Sequence, residues 1–479
     1  MRHLFFSALF VLSSALACAA DAPKYVFLFL AEGMDGQHLA LGRQAALLSG
    51  YAWYPEGLDE QKNRLAADDS FGSGRADTRN ADGLPSDTEA AATAIACGVR
   101  TKNGYLGAGP AQEKLKSFAI LAKEAAGWKV ALLSTGPINR GPSAAFFAHV
   151  ADGTKAGQIA LEMHLSGLDF FGGEKLSGSP LEEEIALEAL KNHSYSVLYG
   201  ERDLISYNGS GKIFCGTSGR LNAQERALDK DSVSLARQVE AVLTIFGDQE
   251  GFFILAEGSG IGGKNGTSDT SALLAELDEF NEALGKAFDF EKKHPSDTLI
   301  LVVSTHESGK MDFLQPDKEL TRDQVDLIRR QTLPLSAILG ELKKFAEENR
   351  KPENEGSFSE ALRITRDALG LRPDDVSPAV HEKLSTLWKN ESFNAEIFLQ
   401  ILLAERDRIA GVRWNPELKH GKDTFVMAFG VGASLFNGSY ENVDIFRKLS
   451  EASFPSVRAA GAEKTAPAAQ VPAQQQTGN

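Results

Sequence analysis

Short, unbroken apolar runs alternate along this chain with longer stretches of helical spacing. Lys24 to Ala31 reads KYVFLFLA and ends on the glycine-rich turn Glu32-Gly33-Met34-Asp35-Gly36. A run this continuous suits a strand buried on both faces of a parallel sheet, because a half-exposed strand would alternate polar with apolar. The same design recurs at Lys129 to Ser134 (KVALLS), Gly251 to Ala256 (GFFILA), Thr298 to Ser304 (TLILVVS) and Thr424 to Phe429 (TFVMAF). Helical patterns lie between. Leu115 to Ala126 precedes the second run. Ser271 to Lys292 carries Leu274, Leu277, Phe280, Leu284 and Phe288 on one apolar stripe. Strands alternating with helices predict an α/β fold, a doubly wound and largely parallel sheet with helices on both faces. In such sheets chemistry gathers beyond the carboxyl ends of the strands.

Two segments stand apart. Phe313 to Arg413 is rich in Glu, Lys and Arg, shows helical spacing and contains no obvious buried strand. It reads as a helical insertion within one main domain spanning 21–455. Ser456 to Asn479 is mostly Ala, Pro and Gln, too poor in large apolar residues to build a core, and is expected to be a disordered tail. At the other end, Met1-Arg2-His3 is basic, Leu4 to Leu16 is apolar, and Ala17-Cys18-Ala19-Ala20 supplies small residues. This pattern predicts a signal peptide over 1–20, cleaved after Ala19 or Ala20, and hence a periplasmic or secreted protein. A lipoprotein signal on Cys18 is the alternative, with Ala15 standing where Leu is usual. No other stretch is apolar enough to span a bilayer.

Charge narrows the partners. The 479 residues carry a net charge of -15 and no Lys/Arg-rich run, which disfavours nucleic-acid binding. Of three cysteines, Cys18 lies in the leader. Cys97 and Cys215 are either one disulfide or two buried thiols; the sequence leaves both open.

Four separated motifs then carry a resemblance. They are LFLAEGMD at Leu28 to Asp35, SDTEAAATAIACGVRTKNGYLG at Ser86 to Gly107, GFFILAEGSGI at Gly251 to Ile261, and VVSTHESG at Val302 to Gly309. SAAFFAHV (Ser143 to Val150), FFGG (Phe170 to Gly173) and AFGVGASLFNGSYEN (Ala428 to Asn442) support them. In this order they resemble the alkaline phosphatase family across nearly the whole mature chain except the insertion. The resemblance implies that family's three-layer α/β sandwich and a phosphate monoester hydrolase passing through a phosphoseryl intermediate. It implies a small phosphorylated substrate, two zinc ions and one magnesium. Two-metal sites of this kind hold their ions roughly 3.5–4 Å apart. Family members often pair as homodimers, although no motif here demands it.

Checked position by position, much of the implied ligand set is absent. The nucleophile falls on Thr88, whose hydroxyl could serve once ionised or could simply cap a helix beginning near Glu89. Glu89 stands where the family has Ala. The strand-end aspartate falls on Glu32, with Asp35 nearby as a substitute or a solvated turn residue. Glu257 keeps the magnesium-site glutamate, and His306 keeps the histidine of the D-H-E motif, but that motif's aspartate has become Thr305. The other zinc's aspartate and histidine fall on Gly262 and Gly266, and its last histidine falls on Lys419, with His420 one residue out of register. Zinc is held by carboxylate, imidazole or thiolate, and glycine offers none. The remaining magnesium ligands fall on Arg140 and Pro142. The phosphate-clamping arginine is missing from Ala151-Asp152-Gly153.

Glu32, Glu257 and His306 beside Thr88 are thus the candidate residual site, for at most one divalent metal, zinc or magnesium. Three expectations follow. The first is a family member with impaired or no activity, a pseudoenzyme keeping a scaffold or binding role. The second is a divergent single-metal hydrolase using Thr88 on a phosphate, sulfate or phosphonate ester. The third is an active two-zinc enzyme with ligands relocated to residues such as His420 or Asp269.

Overall fold

The computed structural model describes residues 22–55, 71–217, 219, 222–248, 250–262, 268–307, 310–415 and 423–455. The expected leader, the Ala/Pro/Gln tail, Gly266, Lys419 and His420 lie outside the described residues.

Twelve strands are described. They are β1 (Tyr25–Ala31), β2 (Phe71–Asp77), β3 (Lys129–Pro137), β4 (Phe170–Glu174), β5 (Tyr195–Tyr199), β6 (Lys212–Thr217), β7 (Phe252–Gly258), β8 (Thr298–Ser304), β9 (Met311–Phe313), β10 (Val412–Trp414), β11 (Asp423–Gly430) and β12 (Gly438–Glu441). Ten form one sheet in the order β12-β2-β11-β8-β1-β7-β3-β4-β6-β5. Within it β11 runs antiparallel to both neighbours, β2 and β8. The other pairings are parallel. The fold is therefore the largely parallel α/β sandwich that the apolar runs predict.

Every residue of β1 is buried. Tyr25, Phe27 and Phe29 enter one core, and Val26, Leu28 and Leu30 enter the other. This two-sided burial is why the strand reads as a continuous apolar run. The first face is covered by helices Gly36–Ser49, Gly200–Ser206, Leu235–Phe246 and Thr270–Glu291, the second by Thr88–Cys97, Phe118–Ala126, Ala156–Ser166, Pro180–Asn192 and Val443–Ser453. Connections leaving β1 and β7 go to the first face, those leaving β3 and β4 to the second, and those leaving β6 and β5 to the first again. Neighbouring strands whose connections part to opposite faces leave a crevice at their carboxyl ends. This sheet has two such places, β7/β3 and β4/β6.

Residues 322–409 form five helices, Arg322–Arg329, Leu335–Asn349, Glu355–Ala368, Pro378–Lys389 and Ala395–Ile409, around Trp388 and Phe398. Their core merges with that of the first face. The segment from Phe313 to Arg413 does contain buried strand residues at its ends: Val412, 1% exposed, pairs with the buried Phe313 in the antiparallel β9–β10 ribbon at its root. Arg406 is buried completely. Its guanidinium bonds Asp269 at 3.1 Å and Asp407 at 2.8 Å and also reaches Gln331. Asp269 caps helix Thr270–Glu291, so this network locks the insertion to the sandwich.

Cys97 and Cys215 are both buried free thiols. Burial pushes each of them up to about 12, so neither is a ready nucleophile. No helix among the described residues is long and apolar enough to cross a membrane.

Candidate functional site at the β7/β3 crevice

Four turns meet where β1, β7, β8 and β3 end. Glu32 leaves β1, its amide donating to the Gly258 carbonyl at 3.1 Å. Glu257, 1% exposed, is the last residue but one of β7. It accepts from the Ser143 amide at 2.8 Å and from the Ser143 hydroxyl. Ser143 belongs to the single helical turn Gly141–Ala144 that follows β3. Gly141 has φ +61, and a β-carbon there would lie 3.1 Å from Glu257 Oε1 and 3.9 Å from Glu32 Oε2. The two carboxylates thus face one gap, which the glycine keeps open.

Thr88 is the first residue of helix Thr88–Cys97. The cap is Asp87, not Thr88: its carboxylate accepts from the Ala90 amide at 2.9 Å and from the Gly104 amide. The Thr88 hydroxyl is left to donate to Glu32 Oε1 at 3.2 Å. Nucleophile position and first-strand carboxylate therefore come together, with Glu257 across the gap.

His306 is held differently. Its Nδ1 lies 3.0 Å from the Thr305 hydroxyl, and its carbonyl accepts from Ser304 Oγ at 2.8 Å. Ser304 Oγ also reaches the Met34 carbonyl at 2.6 Å, which ties the β8 turn to the β1 turn. Asp35 is not a solvated turn residue. It is 5% exposed and caps helix Gly36–Ser49, accepting from the amides of Gln37 at 2.9 Å and His38 at 3.0 Å.

Glu89 turns from Thr88 toward the backbone of Gly153, where an added β-carbon would sit 2.5 Å from Glu89 Cγ. Burial chiefly, with Asp87 and Asp152 nearby, raises its pKa, and Arg140 opposes the rise. Arg140 itself is exposed. Glu307 is raised too, first by burial and then by Asp35 and Asp423, against Arg75. Asp152 binds its own turn through the Thr154 amide at 3.0 Å.

The family's two-zinc set does not fit the residues described. A β-carbon at Gly262 would meet the Glu32 carbonyl oxygen at 3.0 Å and Gly33 Cα at 3.2 Å. A side chain there would need the β1 turn to give by a few tenths of an ångström. Asp269, considered as a relocated ligand, is 3% exposed and spent on Arg406, Gln331 and its helix cap. Among the described residues no group of three or more His, Cys, Asp or Glu is placed to hold a metal ion. Glu32 and Glu257 are the carboxylates that share a gap, and His306 makes its described bonds within its own turn. Ser143 escaped the sequence reading as the partner of Glu257, although it opens the SAAFFAHV motif.

The comparisons agree on descent. The alkaline phosphatase family profile matches residues 23–182 and 167–454. Alkaline phosphatase 4 of Bacillus subtilis is 29% identical over 233 residues, 47% of this chain and 49% of that protein. Alkaline phosphatase 3 of the same organism is 22% identical over 384 residues, 76% of each. The match thus spans about half of the first relative and about three quarters of the second. The cold-active alkaline phosphatase of Shewanella sp. superposes with TM-score 0.71 at 19% identity, covering 90% of this chain and 99% of that one. The Thermus thermophilus enzyme gives 0.70 at 22%, covering 90% and 91%. With the family profile running from before β1 to the last described helix, the chain belongs to the alkaline phosphatase family.

Proposed function

We propose that this protein is an exported family member that keeps the phosphatase framework but lacks efficient two-zinc phosphomonoester hydrolysis, and so acts as a binding or scaffold protein. The observation that carries this reading is Gly262, packed against the Glu32–Gly33 backbone where the family places a zinc-binding carboxylate. In-line displacement between two metals needs an ion on each side, and Gly262 offers one of those ions no side chain. The test is metal content per chain by mass spectrometry, paired with turnover of p-nitrophenyl phosphate by wild type and Thr88→Ala. The expected result is at most one metal per chain and no turnover that depends on Thr88. Two zincs per chain with Thr88-dependent turnover would sink the reading.

One observation favours a second reading. The Thr88 hydroxyl donates to Glu32, and Glu257 faces the same gap. That arrangement suits a hydrolase that uses one divalent ion on a phosphate, sulfate or phosphonate ester. It predicts a single metal and Thr88-dependent turnover in the same experiment.

A further inference from the structure

The β4/β6 crevice holds a second cavity of about 990 Å³, at the upper end of the usual range for small-molecule pockets. It lies three strands from Glu257, about 14 Å along the sheet at the ordinary strand spacing of ~4.8 Å. The rule that puts one crevice between β7 and β3 puts this one where the connections of β4 and β6 part to opposite faces.

Its floor is apolar and close to the backbone. Phe214 and Gly216 of β6 form the base, and Leu187 of helix Pro180–Asn192 forms a wall. A β-carbon at Gly216 would lie 3.1 Å from the Phe214 ring and 3.8 Å from the Tyr199 ring. The missing side chain at Gly216 leaves room for these two rings to lie over the strand. Tyr199 stands over this floor 55% exposed, an uncovered aromatic at the mouth.

The rim carries both charges. Lys175 is engaged by Glu183 at 3.1 Å. Lys191 and Lys230, and the carboxylates Glu184, Glu188 and Asp231, also line the cavity, and among the described residues none of these five is in an ion pair. A simple anion would meet three uncommitted carboxylates, and a simple cation would meet two uncommitted ammonium groups. A ligand bearing one charge of each sign satisfies both sets while its apolar body covers Phe214, Leu187 and Tyr199. Ammonium groups also favour the face of a tyrosine ring.

We propose that the β4/β6 crevice binds a small zwitterion with an apolar body, of the chemical class of short peptides with free ends. This site goes beyond the function proposed above and needs neither metal nor Thr88. It is tested by titration calorimetry of the full mature chain with leucyl-leucine, N-acetyl-leucyl-leucine and leucyl-leucinamide. The free dipeptide is expected to bind one per chain, and loss of either end charge is expected to weaken binding at least tenfold. Tyr199→Ala and the double variant Lys191→Glu/Lys230→Glu should each weaken it by about tenfold, with unchanged thermal midpoint. Both lie on the surface, and a midpoint equal to wild type separates lost binding from lost folding. No heat at millimolar dipeptide, equal binding of a capped peptide, or rim variants that bind like wild type would each overturn the proposal.

Discussion

At position 262 a metal ligand and a spacer differ by one short side chain, a β-carbon and the carboxylate it carries. Gly262 rests on the carbonyl of Glu32 and the α-carbon of Gly33, so any side chain there needs the β1 turn to give by a few tenths of an ångström. Overpacking of this kind costs about 1–3 kcal/mol. Gly262→Ala is therefore expected to lower unfolding stability by that amount in urea, and an unchanged midpoint would show that the turn yields freely. At this scale the sequence told part of the story. Glu32, Glu257 and Thr88 were legible because each sits in a motif that ends a strand or starts a helix. The gap between the two carboxylates was not, because it depends on Gly141 and Ser143 from a fourth turn brought close only by folding. Asp87 taking the cap was also hidden, since aspartate and threonine both cap well and only geometry chooses between neighbours.

Among the elements, the strands buried on both faces were the easiest to read. β1, β3, β7, β8 and β11 all appear as apolar runs. β12 (GSYE) does not, because it lies at the sheet's edge, and β2 (FGSGRAD) does not, because its glycines lie close under the carbonyls of Ala433 and Phe436 and serine and charge alternate with them. β5 is an edge strand as well, and β4 is only five residues long. The insertion was legible as helices, but its anchorage was not. Arg406 and Asp269 are 137 residues apart in the chain, and nothing local announces that they pair. Removing one partner of a buried, hydrogen-bonded ion pair strands the other and typically costs 3–5 kcal/mol. Arg406→Ala should lose about that much in chemical denaturation. Arg363→Ala, whose ion pairs with Glu360 and Asp367 are exposed and screened by solvent, should lose far less. Equal losses would mean that the insertion is not held through Arg406.

For the molecule as a whole, the -15 net charge makes the ionisation of buried acids a matter of overall stability. Burial pushes the Asp407 carboxyl up to about 6, with Asp269 adding to the rise and Arg406 resisting it. Its folded pKa thus stands above the ordinary value near 4. Between those limits the folded state holds the proton more tightly than the unfolded chain. This contribution is fully present in acid and is lost as pH climbs toward and through 6. Urea midpoints from pH 4 to 7 should therefore fall more steeply for wild type than for Asp407→Asn, and parallel curves would refute the assignment. The order of strands carries one more consequence. β1 is the first strand synthesised, yet its neighbours β7 and β8 come from the second half of the chain, and the Tyr25 hydroxyl bonds the Asp248 carbonyl 223 residues away. At roughly 5–20 residues per second, a ribosome needs on the order of 10–45 s to cover that interval. Throughout it this apolar segment of the nascent protein has no native neighbour on either side, so a chaperone that recognises exposed KYVFLFLA has a long opportunity to engage it.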